Sequence, residues 1–119
     1  MTRMDPKEAF IRRKIAKQRD AARRRQIAWS LDVDRVVREV LANPFCQKTG
    51  QPLQFEPNYI YTFSIDRIDS TKGYHSFNVQ YVGASVNLAK SNLLDDDFVE
   101  MCCEVAQHHA FLTARLNPT

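Results

Sequence analysis

The sequence predicts an α+β fold in which two strands and a short helix are flanked by helices at both ends of the chain. Apolar residues recur at helical spacing near the two ends, whereas the middle of the chain has two short runs of β-branched and aromatic residues. With 119 residues, of which 44% are hydrophobic, the chain is long enough to form one modest core.

The first element is predicted to be a helix that follows Asp5 and reaches about Trp29. Asp5 is a good capping residue, Pro6 suits the first helical position, and no glycine interrupts the stretch. Its few apolar residues are outnumbered by eight cations between Arg12 and Arg25. Because such a helix cannot bury a wide face, we expect it to project or to lie across a partner.

A second helix is predicted from about Asp32 to Ala42. Its apolar residues follow the i, i+3, i+4, i+7, i+8 pattern of a helix with one buried face. They are Val33, Val36, Val37, Val40 and Leu41. The Asn43–Pro44 pair then ends the helix.

Two strands are predicted next, over Tyr59–Ile65 and Phe77–Val82, because both runs are rich in β-branched and aromatic residues. The polar loop 69–73 between them allows an antiparallel hairpin. A short helix from Ala84 to about Ser91 follows.

The last helix is predicted from about Asp96 to Arg115, with acidic residues at its N-terminus, where negative charge is favourable. One apolar stripe runs along it at alternating spacings of four and three, which predicts a core-facing helix. The stripe comprises Phe98, Cys102, Val105, His109, Leu112 and Leu116.

The net charge of +3 is divided unevenly along the chain. Residues 1–38 carry 12 Lys/Arg and 5 Asp/Glu, whereas residues 39–119 carry 5 and 9. We therefore divide the chain into a basic helical arm with an amphipathic helix, residues 1–43, and a second domain, residues 44–119. The arm is either a polyanion-binding element or a solvated helix face, and charge alone does not decide between them.

Composition also excludes several classes of protein. No apolar run approaches the roughly 18 residues of a membrane span, and the N-terminus is charged from Arg3 onward, unlike a secretory signal. Three cysteines without a Cys-x-x-Cys pair do not form a disulfide framework and fit a reducing cytoplasm. A cytoplasmic protein without a membrane partner is expected.

Polar residues lie at the ends of the predicted strands and on the helix that follows them. Asp66 ends the first strand, Asn78 opens the second, and Asn87 and Lys90 lie one turn apart on the helix. This combination resembles the HNH (ββα-metal) endonucleases, especially the phage and homing branch in which the first motif reads Asp-Arg-Ile-Asp, as in residues 66–69 here. The resemblance covers roughly residues 46–93.

The resemblance implies a ββα-metal core and a nuclease that hydrolyses DNA with Mg²⁺, Mn²⁺ or another divalent cation. In that family the residues matching Asp66 and Asn87 bind the ion, and the one matching Asn78 braces the loop between the strands. Arg67 and Lys90 would then contact phosphate. Read singly, each of these residues is also an ordinary turn, helix or surface residue.

Arg67 departs from the best-known members of the family, in which the same position holds the histidine that activates water. Arginine stays protonated, so it binds phosphate but does not accept a proton. Three interpretations follow: the metal ion alone acidifies the water, another base such as His75 replaces the histidine, or the domain binds DNA without cutting it.

The basic helix gains a role in this interpretation, because lysine and arginine pair with DNA phosphates regardless of sequence. The residues expected to do so are Arg12, Arg13, Lys17, Arg23, Arg24 and Arg25. Residues 46–50 resemble the zinc knuckle that flanks many HNH domains, in which a second cysteine would stand near Thr49. That cysteine is absent beside Cys46, so no structural zinc is expected. The alternative function is a non-catalytic DNA-binding or phage packaging accessory protein with a degenerate HNH fold. A homodimer is left open.

Overall fold

A computed structural model describes residues 3–116, so the outer limits of the two predicted domains lie outside the described residues. Within that range the fold is α+β, as predicted, with four α-helices and one two-stranded antiparallel sheet. The elements are α1 (Pro6–Arg24), α2 (Val33–Ala42), β1 (Phe63–Arg67), β2 (Val79–Gly83), α3 (Ala84–Lys90) and α4 (Asp95–Leu116).

Helix α1 begins as predicted, with the Asp5 carboxylate accepting a hydrogen bond from the Lys7 amide at 2.8 Å. It ends at Arg24 rather than near Trp29, because Gln26 adopts a positive φ of 58° and turns the chain. The expectation that this helix projects from the body is wrong. Ile11 and Ile15 are fully buried, so its narrow apolar face is enough to dock it.

Helix α2 is confirmed, with Asp32 as its cap and Val36, Val37 and Val40 buried. These valines share one hydrophobic core with the buried residues of α1 and of the sheet. Core residues therefore come from both sides of the predicted boundary between residues 43 and 44. An Arg12–Asp34 ion pair of 2.9 Å also joins α1 to α2.

Both strands exist but are displaced toward the C-terminus relative to the prediction. Residues 59–62 form a turn, in which the Thr62 amide donates to the Tyr59 carbonyl at 3.2 Å, so β1 begins only at Phe63. A short 3₁₀ turn, Ser76–Asn78, likewise delays β2 to Val79. The register places Asp66 opposite Gln80.

The two-stranded sheet has an outer edge on each strand, and a glutamine caps each one. Gln18 of α1 accepts from the Ile65 amide at 2.9 Å and donates to the Ile65 carbonyl at 3.0 Å. Gln47 does the same for Tyr81 of β2. Its side-chain oxygen accepts from the Tyr81 amide at 2.6 Å, and its main-chain amide donates to the Tyr81 carbonyl at 2.9 Å. Both strands thereby satisfy backbone groups that a two-stranded sheet leaves open.

The hairpin that holds Cys46 packs its thiol into the core. Burial by itself raises the pKa of Cys46, but hydrogen bonds from the Thr49 hydroxyl and from backbone amides, including that of Gly83, outweigh it and lower the pKa. Thr49 therefore lies next to the Cys46 sulfur. The family motif would have a second cysteine near this position. The hairpin is closed by a bridge between Phe45 and Pro52.

Helix α3 is confirmed, but α4 differs from its prediction. Of the predicted stripe from Phe98 to Leu112 only Phe98 is buried, and residues 99–115 are exposed on all sides of the helix. The side chain of Leu116 lies outside the described residues. The prediction of a core-facing helix is therefore wrong for residues 99–115. None of the described helices is both long and apolar enough to cross a membrane.

Replacing Gln18 is expected to destabilise the fold. The Gln18→Ala variant leaves the Ile65 amide without an acceptor and removes one of the two donors to the Ile65 carbonyl, and we expect the free energy of unfolding to fall by about 1–3 kcal/mol. Urea unfolding followed by circular dichroism measures the change. Arg19→Ala, at an exposed position of the same helix, is the matched control and should change it by less than about 0.5 kcal/mol. Equal effects of the two variants would contradict the capping role.

Candidate active site

A cleft of about 630 Å³ lies between α1 and the unit formed by β1, β2 and α3. It brings together residues that are far apart in the sequence. Helix α1 contributes Lys14, Gln18 and Ala21, and Arg25 directly follows that helix. The strand–strand–helix unit contributes Ser64, Asp66, Arg67 and Asn87. Asp66, Arg67 and Asn87 are three of the residues singled out by the sequence.

Asp66 is buried near the end of β1 and forms an ion pair with Lys90, with the ammonium nitrogen 3.2 Å from Oδ2. The Asp66 side chain is 4% exposed and that of Lys90 only 1%. Lys90 also donates to the carbonyl oxygen of Arg67 at 2.8 Å. The sequence resemblance implies that Lys90 contacts phosphate, but its ammonium group points inward and is committed to Asp66.

Gln80 links Asp66 to the start of α4. Its side-chain amide nitrogen donates to Asp66 Oδ2 and to Asp95 Oδ1, both at 2.8 Å. Asp95 in turn pairs with Lys48. Burial by itself raises the pKa of Asp95, but the bonds from Lys48 and Gln80 outweigh it and hold that pKa below its usual value. A continuous chain of polar groups thus runs from α4 to the cleft.

Asn87 is oriented so that its oxygen stays free. Its amide nitrogen donates to the Ser64 hydroxyl at 2.8 Å and to the Ile65 carbonyl at 3.2 Å. Since a carbonyl only accepts, the amide cannot be reversed without losing a bond. Oδ1 of Asn87 accepts no hydrogen bond from residues 3–116, and the residue lines the cleft.

Asn78 holds the loop between the strands. Its Oδ1 accepts from the Asp69 amide at 3.0 Å, and its nitrogen donates to the carbonyls of Asp69 and Gly73 at 3.0 and 2.9 Å. The residue is 4% exposed. Asn78 therefore connects Asp69 to Gly73 across the loop between the strands.

Arg67 is fixed at the rim of the cleft. One terminal nitrogen donates to the carbonyls of Ser70 and Lys72, at 2.8 and 2.9 Å, and the guanidinium lies 5.3 Å from the ring centre of Tyr74. Those contacts use only part of the five N–H groups of the guanidinium. The rest are available to an anion in the cleft.

His75 is not among the residues that line the cleft within the described range. Its Nδ1 lies 2.5 Å from the Ser30 hydroxyl, and its ring stacks on Phe77. The reason is local: Trp29 and Tyr74 form a bridge, which turns the next residue toward Ser30. The structure thus separates His75 from Asp66 and Asn87.

The cations of α1 fall into two groups. Lys14 and Arg25 line the cleft, and burial, followed by the charge of Lys17, lowers the pKa of Lys14. Arg13, Lys17 and Arg24 are spaced by four and seven residues, so they lie together on one face of the helix, next to the face that lines the cleft.

Two of the predicted phosphate-binding residues are instead ion-paired within the chain. Arg12 pairs with Glu8 and Asp34, at 3.0 and 2.9 Å, and Arg23 pairs with Asp20 at 3.0 Å. Arg12 is therefore mostly occupied in joining α1 to α2, whereas the Arg23 pair is highly exposed and easily exchanged for a phosphate.

Lys14, Gln18 and Gln80 are site residues that sequence reasoning missed. In the sequence nothing distinguishes Lys14 from the other cations of the first helix, and Gln18 is an uncharged residue among them. Gln80 carried a usable signal, since it is polar within an otherwise apolar strand and stands opposite Asp66 in the hairpin.

Comparisons of the chain with protein-family models, with curated proteins and with solved structures each find no match. The geometry of the cleft is therefore the basis for a functional proposal.

Removing the positive charge of Lys90 is expected to be costly. The Lys90→Met variant keeps most of the volume but leaves Asp66 buried without its partner, which lowers the free energy of unfolding by about 3–5 kcal/mol. The double variant with Asp66→Asn should lose less, because no charge is then stranded. Lys72→Met, at an exposed lysine, is the control in urea unfolding. A loss below about 1 kcal/mol for Lys90→Met would contradict the buried pair.

Proposed function

We propose that the chain is a divalent-metal-dependent endonuclease of the HNH type that hydrolyses DNA phosphodiester bonds in the cytoplasm. The observation that carries the proposal is the meeting of Asp66, Arg67 and Asn87 in one cleft beside the cations of α1. A cleft with oxygen ligands on one wall and positive charge on the other suits a phosphodiester.

The oxygen atoms in the cleft fit a Mg²⁺-type ion in type and in number. Mg²⁺ typically takes one or two carboxylates and completes its coordination with phosphate and water. Oδ1 of Asn87 accepts no bond from the described residues, and Oδ1 of Asp66 has only a long 3.4 Å contact with Lys90. When bound there, the ion supplies positive charge to the scissile phosphate and acidifies the attacking water.

The remaining residues bind and orient. Arg67 offers its unused N–H groups to the phosphate, while Asn78 keeps the loop that carries Arg67 in place. Gln80 and Lys90 hold the Asp66 carboxylate in one orientation. Because His75 lies outside the cleft, we favour activation of water without a side-chain base near Asp66.

One observation favours a second function, that of a DNA-binding or packaging accessory protein without nuclease activity. The Lys90 ammonium already neutralises the Asp66 carboxylate, 3.2 Å from Oδ2 and 3.4 Å from Oδ1, and Gln80 donates to Oδ2. If that ion pair persists when DNA and divalent cations are present, the cleft would bind phosphate without cutting it. The two functions differ in cleavage and share DNA binding.

Cleavage of supercoiled plasmid tests the nuclease. We expect nicking with Mg²⁺ or Mn²⁺ and none with EDTA. Asn87→Ala and the double variant Asp66→Asn/Lys90→Met, in which no buried charge is left unpaired, should each slow it by about 100-fold or more, because the variants lose several kcal/mol of charge stabilisation, yet still shift DNA on a gel. Asp69→Asn, a carboxylate bound to Thr71, is the control and should cut normally. DNA binding without any metal-dependent nicking by the wild type would instead establish the accessory function.

The salt dependence of DNA binding tests the basic face. Reversing the charges of Arg23, Arg24 and Arg25 to glutamate should weaken binding and flatten the slope of log K against log salt by about two to three units, since each phosphate contact contributes about 0.9. Fluorescence anisotropy with a labelled duplex measures both. Arg38→Glu, on α2, is the control for a charge reversal away from the cleft and should leave the slope nearly unchanged. An unchanged slope in the triple variant would show that Arg23, Arg24 and Arg25 do not bind the backbone.

A further inference from the structure

Among the described residues, helix α4 contacts the body only near its N-terminal end, where Asp95 pairs with Lys48 and Phe98 is buried. Residues 99–115 are exposed, and at 1.5 Å per residue they span about 25 Å. Two of the apolar side chains on one side of the helix, Val105 and Leu112, are 55% and 38% exposed. An isolated helix of this length is marginal in water, and such apolar exposure marks an interaction surface.

The apolar side of α4 is continuous with a groove on the body. The stripe formed by Cys102, Val105, His109 and Leu112, called the α4 stripe below, has the 3-4-3 spacing of a coiled-coil seam. At its N-terminal end an apolar groove of about 430 Å³ lies between α4 and α3. Its walls include Cys102 and Ala106 from α4, and Val86 and Ala89 from α3.

We propose that the α4 stripe and this groove bind the α4 helix of a second copy of the chain, in antiparallel orientation, to form a symmetric dimer. The spacing of the stripe is self-complementary in that orientation. Placing Cys102 opposite Leu112 of the second copy also places Val105 opposite His109 of that copy. The two-fold axis then repeats both pairs, as a closed symmetric interface requires.

Charge along the helix favours a second copy in the antiparallel orientation. The first ten residues of α4 contain five acidic residues, whereas residues 105–115 contain none and include Arg115. In an antiparallel pair each acidic half lies beside a half without acids, within the roughly 10 Å over which charges interact in salt. The two helix dipoles are also opposed. A parallel pair would align the acidic halves instead.

The proposed dimer leaves the cleft open and does not depend on the proposed nuclease function. Helix α3 separates the two surfaces: Asn87, Leu88 and Ser91 line the cleft, whereas Val86 and Ala89 line the groove. A chain that fails to cut DNA would therefore still dimerise.

Light scattering coupled to size exclusion tests the dimer with the full chain. We expect twice the chain mass of 13.8 kDa, and a return to the single-chain mass for the Val105→Glu/Leu112→Glu double variant. Phe111→Glu, on the opposite side of α4, is the control and should remain dimeric. Thermal unfolding shows that the body of each variant still folds. A wild-type monomer, or dissociation of the Phe111 variant to the same extent, would overturn the proposal.

Disulfide cross-linking tests the orientation. In a Cys103→Ser background, the Leu112→Cys variant should form a covalent dimer with Cys102 of the second copy when oxidised glutathione is the oxidant. Phe111→Cys in the same background should cross-link at least tenfold more slowly. Equal rates of cross-linking, or none for Leu112→Cys in a dimeric protein, would overturn the antiparallel arrangement.

Discussion

The buried ion pair between Lys90 and Asp66 is the constraint on which the rest of the structure depends. A single charge in that position would cost several kcal/mol, so both groups must stay buried together. This requirement seats α3 against β1 and gives Gln80, on β2, a carboxylate to bind. Asn87 lies one turn before Lys90, and its place in the cleft follows from the same contact. The geometry of the candidate site is thus a consequence of a stability requirement.

Helix α1 has three functions because its faces differ. Ile11 and Ile15 enter the core, Gln18 binds the edge of β1, and Lys14 lines the cleft. A helix that is docked by its apolar residues holds its cations at fixed positions relative to Asp66. If α1 binds DNA as proposed, the entropy cost of ordering a free basic arm would be largely absent.

The strand–strand–helix unit and the polar residues at its joints were predictable from the sequence, because each depends on local patterns. The two long helices were predicted the wrong way round: α1 was expected to project and packs on the core, whereas α4 was expected to face the core and is mostly exposed. Periodicity shows which face of a helix is apolar, but whether another element packs on that face depends on the rest of the chain. Two isoleucines suffice to bury α1, whereas the longer stripe of α4 stays exposed. The inward direction of Lys90 and the bonds of Gln18 and Gln80 depend on contacts between distant segments, which no local pattern reveals.

The glutamines at the two sheet edges also have a consequence for the chain in a crowded cell. An uncapped strand edge is a template on which a strand of another molecule can add, and such addition leads to aggregates. At Ile65 and Tyr81 both the amide and the carbonyl are already bound, to Gln18 and Gln47 respectively. The Gln18 side chain, together with the side chain and the main-chain amide of Gln47, therefore blocks strand addition at these two residues while leaving the strand ends free to carry the candidate site.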